Sequence, residues 1–421
     1  MQGEDHNLEQ QLGESERRYL TLALHLDRHF DGVVDAYFGP PELKFQAEAG
    51  DPRPLDALAG DASQLQQAVD ASDYDPQRKE YLTRQTRAMS AIIRNLSGES
   101  LPFTEEVKLY FDIAPEMVDE SVFEEAHAEI ARLLPGNGSI GERVSQWEKG
   151  LEVAADQLLP VLELASAETR RRTSNLFDLP SGEEVRWELV EDKPWAAYNN
   201  YRGEYRSSIE VNTDSPAHIH RILYVVAHEA YPGHHTEAAI KEHHLYKGQG
   251  RAEHAVHILG PEAVLAEGIA VSAVGMIFSD ADQVAFLRDE LCPLAGLPGA
   301  DAERQIAVVR ASEVLRGVVG NAALLLHGER WPLEEVERYL ARYQLRTQDQ
   351  VARTLRFLQI PLWRSYAFNY SVGRKLLAPL LEGPDRVENF ARLLSEPFTP
   401  TLVRQWVAER DGGGRREGSC R

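Results

Sequence analysis

The stretch His228-Glu229-Ala230-Tyr231-Pro232-Gly233-His234-His235 decides how the rest of the chain is interpreted. It holds three histidines and a glutamate, and an apolar segment at 222–227 runs directly into it. Nine of the 14 histidines fall between His218 and His257, so histidine is concentrated in this region. Neutral imidazoles bind zinc, and a carboxylate beside them can take a proton from metal-bound water. The stretch therefore predicts a hydrolytic zinc site in which His228 is a ligand and Glu229 is the general base.

The spacing of the histidines departs from the familiar zinc helix, in which H-E-x-x-H places two histidines four residues apart on one face. Four residues after His228 stands Pro232, which cannot bind a metal and which removes a helical hydrogen bond. If Pro232-Gly233 is a two-residue insertion that forms a wide bulge in the helix, deleting the pair restores H-E-x-x-H with His234 as the second ligand. His235 is the alternative, because in an undistorted helix it lies only about 20° out of phase with His228.

A third ligand is expected, because a catalytic zinc usually has three protein ligands and one open position. Glu267 is the predicted third ligand, since it lies among small and apolar residues, where a buried charge needs a partner. The alternative is an exposed glutamate near the start of a helix, where the helix dipole favours an acid. The rival histidine ligands are His243, His244, His254 and His257.

A second group of candidate residues lies late in the chain, at 365–375, where tyrosines, a glycine and two cations occur together on a predicted helix. Tyr370 could donate a hydrogen bond to the oxyanion that develops in the transition state. Arg374 could hold a substrate carboxylate as a bidentate pair. The alternative is a set of core tyrosines beside a solvated Arg-Lys pair.

Most of the chain has apolar residues at helical spacing, which predicts a mainly α-helical protein. The predicted helices are 7–38, 54–71, 76–97, 119–134, 141–174, a zinc helix from 216, a small-residue helix from 261, and then 280–293, 300–327, 332–343, 347–359, 362–382, 385–395 and 399–410. Ser215 fits the N-cap of the zinc helix and Pro216 its first position. We expect an N-terminal helical region over 1–180 that forms one unit with a catalytic zinc region over 181–411, and a disordered tail over 412–421.

Two segments before the zinc helix, at 185–189 and 207–211, alternate apolar with polar residues. This period predicts a small antiparallel sheet of two or three strands beside the zinc helix. The strand from Tyr205 to Val211 could pair with an extended peptide by β-addition. Tyr205 and Asn212 are accordingly predicted to contact the substrate.

The whole-chain composition limits the partners. The net charge is −22, from 45 basic and 67 acidic residues, which argues against nucleic acid or an anionic membrane as partner. The N-terminus, MQGEDHNLEQQ, lacks the charged-then-apolar pattern of a signal peptide, and no uncharged apolar run approaches about 20 residues. The two cysteines, Cys292 and Cys420, lie far apart, which fits a reducing compartment. We therefore expect a cytoplasmic protein with no membrane partner.

Three motifs together resemble a known family. The segment 228–235 is followed by Ala266-Glu267-Gly268-Ile269-Ala270 and then by Tyr370-Ser371-Val372-Gly373-Arg374, an order that resembles the DUF885 family, which is placed near the gluzincin zinc peptidases. The resemblance covers about 185–380, and Ile269 stands where Trp is common. It implies a multi-helical, gluzincin-like zinc metallopeptidase that acts on short peptides as a carboxypeptidase or dipeptidase.

Two other functions stay open at this point. The protein could be a zinc hydrolase of another amide or an ester, or a non-catalytic helical protein that holds zinc for structure. An intact Glu229 favours catalysis, because a structural site needs no base.

Overall fold

The computed structural model describes residues 12–193 and 195–417, with side chains described as far as residue 410. The fold is mainly helical with two small sheets, which confirms the predicted class. The elements before residue 180 are α1 (Glu14–Asp27), β1 (Val34–Tyr37), α2 (Pro41–Glu48), α3 (Leu55–Ala71), α4 (Pro76–Leu96), α5 (Phe103–Phe111), α6 (Glu120–Leu133), α7 (Ile140–Lys149) and α8 (Ala155–Ser174). The central elements are β2 (Glu184–Val190), β3 (Ala197–Tyr201), β4 (Arg206–Asn212), α9 (Ile219–Glu229), α10 (His234–Lys241), a π-helix (Glu242–Lys247), a 3-10 helix (Ala252–Ala255), β5 (Val256–Ile258) and α11 (Pro261–Ile277).

The remaining elements are helical. They are α12 (Asp280–Phe286), a π-helix (Leu287–Leu291), α13 (Cys292–Leu294), a 3-10 helix (Gly299–Asp301), α14 (Ala302–Ser312), a 3-10 helix (Glu313–Arg316), α15 (Gly317–Ala323), a π-helix (Leu324–Gly328), α16 (Leu333–Tyr343), α17 (Gln348–Gln359), a 3-10 helix (Trp363–Phe368), α18 (Asn369–Leu381), α19 (Arg386–Ser395) and α20 (Pro400–Glu417). The last helix continues into the segment for which a disordered tail is predicted, and residues 418–421 lie outside the described residues.

The long helix predicted over 7–38 is wrong beyond Asp27, and its first residues, 7–11, lie outside the described part of the chain. The carboxylate of Asp27 accepts hydrogen bonds from the backbone N–H groups of Gly32 and Val34, at 3.1 and 2.9 Å, and so turns the chain away from the helix. The apolar residues that follow belong to β1, which pairs antiparallel with β5 in a two-stranded sheet. A short run of apolar residues is compatible with either a strand or a helix, so the sequence pattern does not distinguish the two here.

The helix predicted over 141–174 is divided into α7 and α8, and the segment between them sets the start of the zinc helix. Backbone hydrogen bonds join Val153 N–H to the Ala217 carbonyl, at 2.8 Å, and Ile219 N–H to the Leu151 carbonyl, at 2.9 Å. Residues 217 and 218 are therefore held extended, and α9 begins at Ile219 with His218 as its N-cap. The predicted start at Pro216 with Ser215 as N-cap is wrong for this reason.

The sheet beside the zinc helix has the strand order β2-β4-β3. The β3–β4 pair is antiparallel, as expected, whereas β2 runs parallel to β4. Because β4 is the central strand, both of its edges are already hydrogen-bonded. A peptide therefore cannot add to the predicted strand, Tyr205 to Val211.

The small-residue helix α11 packs against both α9 and α18. A Cβ atom on Gly268 would lie 2.7 Å from the backbone carbon of Gly373, and one on Gly373 would lie 2.2 Å from the Val264 carbonyl oxygen. Only glycine allows the two backbones to approach this closely. The contact brings the predicted third ligand, Glu267 on α11, next to Tyr366 in the 3-10 helix that leads into α18.

The hydrophobic core joins the helices that carry the site. One cluster of buried residues includes Leu158 of α8, Ile222 of α9 and Leu265 of α11. A second cluster contains residues from both sides of position 180, Tyr19 and Tyr343 among them. In the described part of the chain, no single helix is long and apolar enough to cross a membrane; by length and composition alone, one bent pair passes, Pro261–Ile277 with Asp280–Leu294.

Candidate metal centre

The zinc helix is interrupted by a bulge at the position that the sequence predicts. The backbone N–H of Gly233 donates to the carbonyl of Ala227 at 2.9 Å, and that of Thr236 donates to the carbonyl of Ala230 at 3.2 Å. Each bond spans six residues, whereas an α-helical bond spans four. Two residues are thus inserted into the turn, and helical geometry resumes at His234.

The bulge requires glycine at position 233. A Cβ atom there would lie 1.9 Å from the carbonyl oxygen of His228 and 2.5 Å from that of Ala227. No other residue fits between these oxygens without moving the backbone that carries the first histidine.

The bulge brings His228 and His234 together with Glu267, and their ligand atoms all lie within 4.8 Å of one another. The Glu267 Oε2 atom is 3.5 Å from His228 Nε2 and 3.9 Å from His234 Nε2. Ligand atoms about 2.0–2.1 Å from a tetrahedral zinc would be separated by roughly 3.3 Å, so these distances fit a metal with a shift of a few tenths of an ångström. Among the described residues, no other group of three such side chains is close enough to hold a metal.

Glu267 is short of one partner. Its Oε1 atom accepts a hydrogen bond from the Tyr366 hydroxyl at 2.7 Å, but its buried Oε2 atom has no hydrogen-bond partner among the described residues. A buried carboxylate oxygen without a donor is costly. A cation placed between this oxygen and the two imidazoles would satisfy it, and the two-histidine, one-glutamate donor set suits zinc.

His235, the alternative second ligand, faces away from this group. Its Nε2 atom lies 3.0 Å from the Glu183 carboxylate and its Nδ1 atom 2.9 Å from the Ser207 hydroxyl, so both ring nitrogens have partners. Glu183 is also bonded by Tyr231 and Arg170. The side chain that follows His234 therefore anchors the helix to the sheet.

The candidate metal ligands are contacted by further side chains. The Tyr224 hydroxyl lies 3.4 Å from His228 Nδ1 and accepts a hydrogen bond from Arg316 at 2.5 Å. Tyr366 donates a hydrogen bond to Glu267, and its ring contacts the ring of Tyr370 edge to face. Such partners orient metal ligands and fix their protonation.

Tyr224, Tyr366 and Arg316 are not among the residues that the sequence predicts for this site. Tyr224 precedes His228 by four positions and Tyr366 precedes Tyr370 by four, so helical spacing could have identified both. Arg316 lies in a 3-10 helix that is distant in sequence, and the residues around it do not indicate that it reaches this site.

Burial controls the protonation of the site. It lowers the pKa of His228 well below its usual value, with help from His234 and Arg316, so the imidazole is neutral and able to bind a metal. Burial raises the pKa of Glu267, and burial together with the charges of Glu267 and Asp35 raises the pKa of Glu229 to about 8. A bound dication would favour the ionised form of both carboxylates.

Tyr370 is brought into the site. Its ring stacks on the His228 imidazole with 6.3 Å between centroids and an interplanar angle of 19°. The side chain remains 36 % exposed, so a substrate can reach it.

The other predicted substrate contacts lie elsewhere. Arg374 forms an ion pair with Glu313 and is 47 % exposed. The Tyr205 hydroxyl is 3.1 Å from His243 Nδ1. The Asn212 amide donates to the carbonyls of 193 and 195, which fastens the loop before β3. No described contact connects Arg374, Tyr205 or Asn212 with His228, His234 or Glu267.

Comparison with known proteins shows a shared fold and no family. No protein-family model and no curated protein matches the chain. The chain is similar to the solved structure of a "putative lipoprotein" from Colwellia psychrerythraea, with a TM-score of 0.51 and 17% identity over 84% of this chain and 66% of that one. It is also similar to a "putative lipoprotein of unknown function" from Shewanella oneidensis, with a TM-score of 0.51 and 11% identity over 87% of this chain and 76% of that one. The chain thus spans just under two thirds of the length of the first of these proteins, and at such identities the likeness concerns the fold alone.

Proposed function

We propose that the protein is a zinc-dependent hydrolase that cleaves the peptide bonds of short peptides. The observation that carries this proposal is the convergence of His228, His234 and the unpartnered Glu267 oxygen, with Glu229 directly after the first histidine. When bound, zinc makes a coordinated water acidic and polarises a carbonyl group. His228, His234 and Glu267 would hold the ion.

The surrounding residues supply the rest of the chemistry. Glu229 follows a ligand and is not one itself, and its carboxylate accepts the proton of the attacking water and delivers it to the leaving amine. Tyr370, stacked on His228, donates a hydrogen bond to the oxyanion that develops on the carbonyl oxygen. Tyr366 and Tyr224 hold Glu267 and His228 in position. These roles agree with the resemblance to the DUF885 motifs.

The test is digestion of a peptide library read by mass spectrometry, with the zinc-loaded protein, with the protein after chelation, and with Glu229→Gln. We expect cleavage by the loaded protein only. A parallel panel of non-peptide amides and esters decides the reaction class, because turnover confined to that panel would replace a peptidase with another zinc hydrolase. Zinc content of about one per chain without turnover of either panel would favour a structural site.

The cytoplasm remains the proposed location, on the grounds of cysteine usage. Cell fractionation followed by immunoblotting would check it, and recovery in the membrane fraction would contradict it.

A further inference from the structure

His228 presents its two ring nitrogens to different partners. Its Nε2 atom lies 3.5 Å from the Glu267 Oε2 atom, within the group that could hold a metal, and its Nδ1 atom lies 3.4 Å from the Tyr224 hydroxyl. A histidine that binds a metal through Nε2 carries its proton on Nδ1 and donates it to a nearby acceptor. The Tyr224 oxygen is therefore the acceptor that would fix the tautomer of His228 and the orientation of its ring.

Tyr224 is in turn held by Arg316. The guanidinium group of Arg316 donates a hydrogen bond to the Tyr224 hydroxyl oxygen at 2.5 Å, and its Cζ atom lies 4.5 Å from the centroid of the Tyr224 ring. A hydroxyl oxygen has two lone pairs, so it can accept from the arginine and from the imidazole together. The side chain of Arg316 has no other hydrogen-bond or ion-pair partner among the described residues, so its contacts are directed at the tyrosine beside the candidate metal ligand.

Arg316 occupies the last position of a short 3-10 helix, Glu313–Arg316. Residues three apart eclipse one another in a 3-10 helix, so the side chains of Glu313 and Arg316 lie on the same face. Between them, Leu315 is buried and packs in the hydrophobic core. The leucine therefore holds this short helix on the core, while its two charged side chains reach α18 and α9.

Glu313 connects the 3-10 helix to α18. Its carboxylate forms an ion pair with Arg374, which directly follows Gly373 in the chain. Gly373 lies where the backbones of α18 and α11 pack against each other, so Arg374 extends from a closely packed part of the fold that does not shift easily. Arg374, for which the sequence predicts a substrate carboxylate, thus has its partner on the segment that carries Arg316.

We propose that Arg316 is a positioning residue, which acts on the candidate metal ligand His228 through Tyr224. The ion pair between Glu313 and Arg374 holds the short helix from which Arg316 acts. This inference rests on the metal centre of the proposed function, and it applies whichever substrate the centre takes.

His228 needs this support because the helix is interrupted on its C-terminal side. The helix α9 ends at Glu229, and side chains in a helix lean toward its N-terminus, so the ring of His228 rests on the preceding turn, where Tyr224 lies. Loss of the partner of a metal-binding histidine typically weakens metal binding by about 10- to 100-fold. Removing the contacts of Arg316 should therefore weaken zinc binding although no ligand is changed.

A double-mutant cycle for zinc affinity tests whether Arg316 acts through Tyr224. Arg316→Met and Tyr224→Phe should each weaken zinc binding by about 10- to 100-fold. Because both changes break the same chain of contacts, the double variant should bind zinc about as weakly as Tyr224→Phe alone. Losses that multiply in the double variant, or an Arg316→Met protein that binds zinc as tightly as wild type, would overturn the proposal.

A conservative variant and a matched control distinguish positioning from a general loss of stability. Arg316→Lys keeps the charge and a donor, so it should recover part of the affinity that Arg316→Met loses. Arg310→Met removes an exposed arginine that is paired with Asp280, and it should bind zinc as wild type does. Arg374→Gln should weaken zinc binding only a few-fold, since its ion pair with Glu313 is half exposed. Equal losses in Arg310→Met and Arg316→Met would refute a specific role for Arg316.

The visible spectrum of the cobalt-loaded protein reports ligand geometry without turnover. Cobalt-loaded Tyr224→Phe and Arg316→Met should share one altered spectrum, because both release the same imidazole, and an unchanged spectrum in Arg316→Met would contradict the proposal. Coupling in the zinc cycle without peptide cleavage by wild type would support the inference and refute the peptidase. Peptide cleavage by wild type without coupling would do the reverse, and a wild type that binds no zinc would overturn both.

Discussion

Gly233→Ala should disrupt the metal centre without touching any ligand side chain. The added Cβ atom would lie 1.9 Å from the His228 carbonyl oxygen, whereas an ordinary contact begins at 3.4 Å. Relieving the overlap requires a displacement of about 1.5 Å in the backbone of the first histidine. Metal–ligand distances tolerate only about 0.2 Å, so the three ligands could no longer meet one ion.

Gly233→Ala should lower both the stability of the metal-free protein and its affinity for zinc. Overpacking of a closed site typically costs about 1–3 kcal/mol, which should appear as a lower free energy of unfolding in the metal-free protein. Loss of support for a ligand typically weakens metal binding by about 10- to 100-fold, and displacement of the ligand backbone should do at least as much. At a zinc concentration of 100 times the wild-type Kd, zinc stabilises the wild type by about 2.7 kcal/mol, and only about 0.4–1.4 kcal/mol of this stabilisation should remain in the variant.

The assay is urea unfolding with and without zinc, together with elemental analysis of the purified protein. Gly275→Ala on α11 is the matched control, because a Cβ atom there meets nothing within 4 Å. That change should stabilise the helix by about 0.5–1 kcal/mol and leave zinc binding unchanged. If Gly233→Ala binds zinc as tightly as wild type and unfolds at the same urea concentration, the bulge does not position the ligand and our reasoning fails.

The remaining predictions concern single side chains. Glu229→Gln should keep its zinc and lose about 10²- to 10⁴-fold in kcat with little change in KM, as measured on one metal-analysed preparation, and loss of zinc would instead make Glu229 a ligand. His234→Ala should lose zinc, whereas His235→Ala should retain it at reduced stability; the opposite result in elemental analysis would reverse the ligand assignment. Burial raises the pKa of Glu262, but the charges of Lys241, His254 and His257 and the hydrogen bond from Lys241 together outweigh burial and lower that pKa to about 2. Because the ionised form is favoured in the folded state, this group should stabilise the protein above pH 4.5 and lose that contribution as the pH falls toward 2. Glu262→Gln should therefore have a flatter acid-unfolding profile, and an unchanged profile would count against the pairing.

The sequence predicts the group of side chains that could hold a metal because the chemistry of this group is local. His228, Glu229 and His234 lie within seven residues of one another. Pro232, which occupies the position of the second histidine in H-E-x-x-H, indicates that the helix is interrupted there. Glu267 was predictable as an acid among small residues, since a buried charge requires a partner. Tyr224 has the same kind of local signal, because it precedes His228 by one helical turn.

The predictions that are wrong concern elements whose structure depends on contacts between distant segments of the chain. The strand β1 replaces a helix because Asp27 binds the backbone beyond it and because β5, far along the chain, offers a partner edge. The zinc helix starts at Ile219 because residues 151–153 hold the chain extended before it. Arg316 reaches the site from another helix, and nothing near it in sequence indicates this. The spacing of apolar residues describes one segment at a time, so it does not predict contacts between segments that are far apart in the sequence.

The two backbone hydrogen bonds that span six residues, from Gly233 and Thr236, show that the bulge accommodates two extra residues within the helix, which affects how such sequences align. Removing Pro232 and Gly233 would leave His-Glu-Ala-Tyr-His, the ordinary zinc-helix pattern, so the interrupted and uninterrupted forms differ by one small deletion. An alignment that forbids gaps inside helices would match the second histidine of an uninterrupted form with Pro232, and a search keyed to fixed spacing would pass over this chain. Ligand identity in such proteins is therefore better transferred by superposing the bulge than by counting residues.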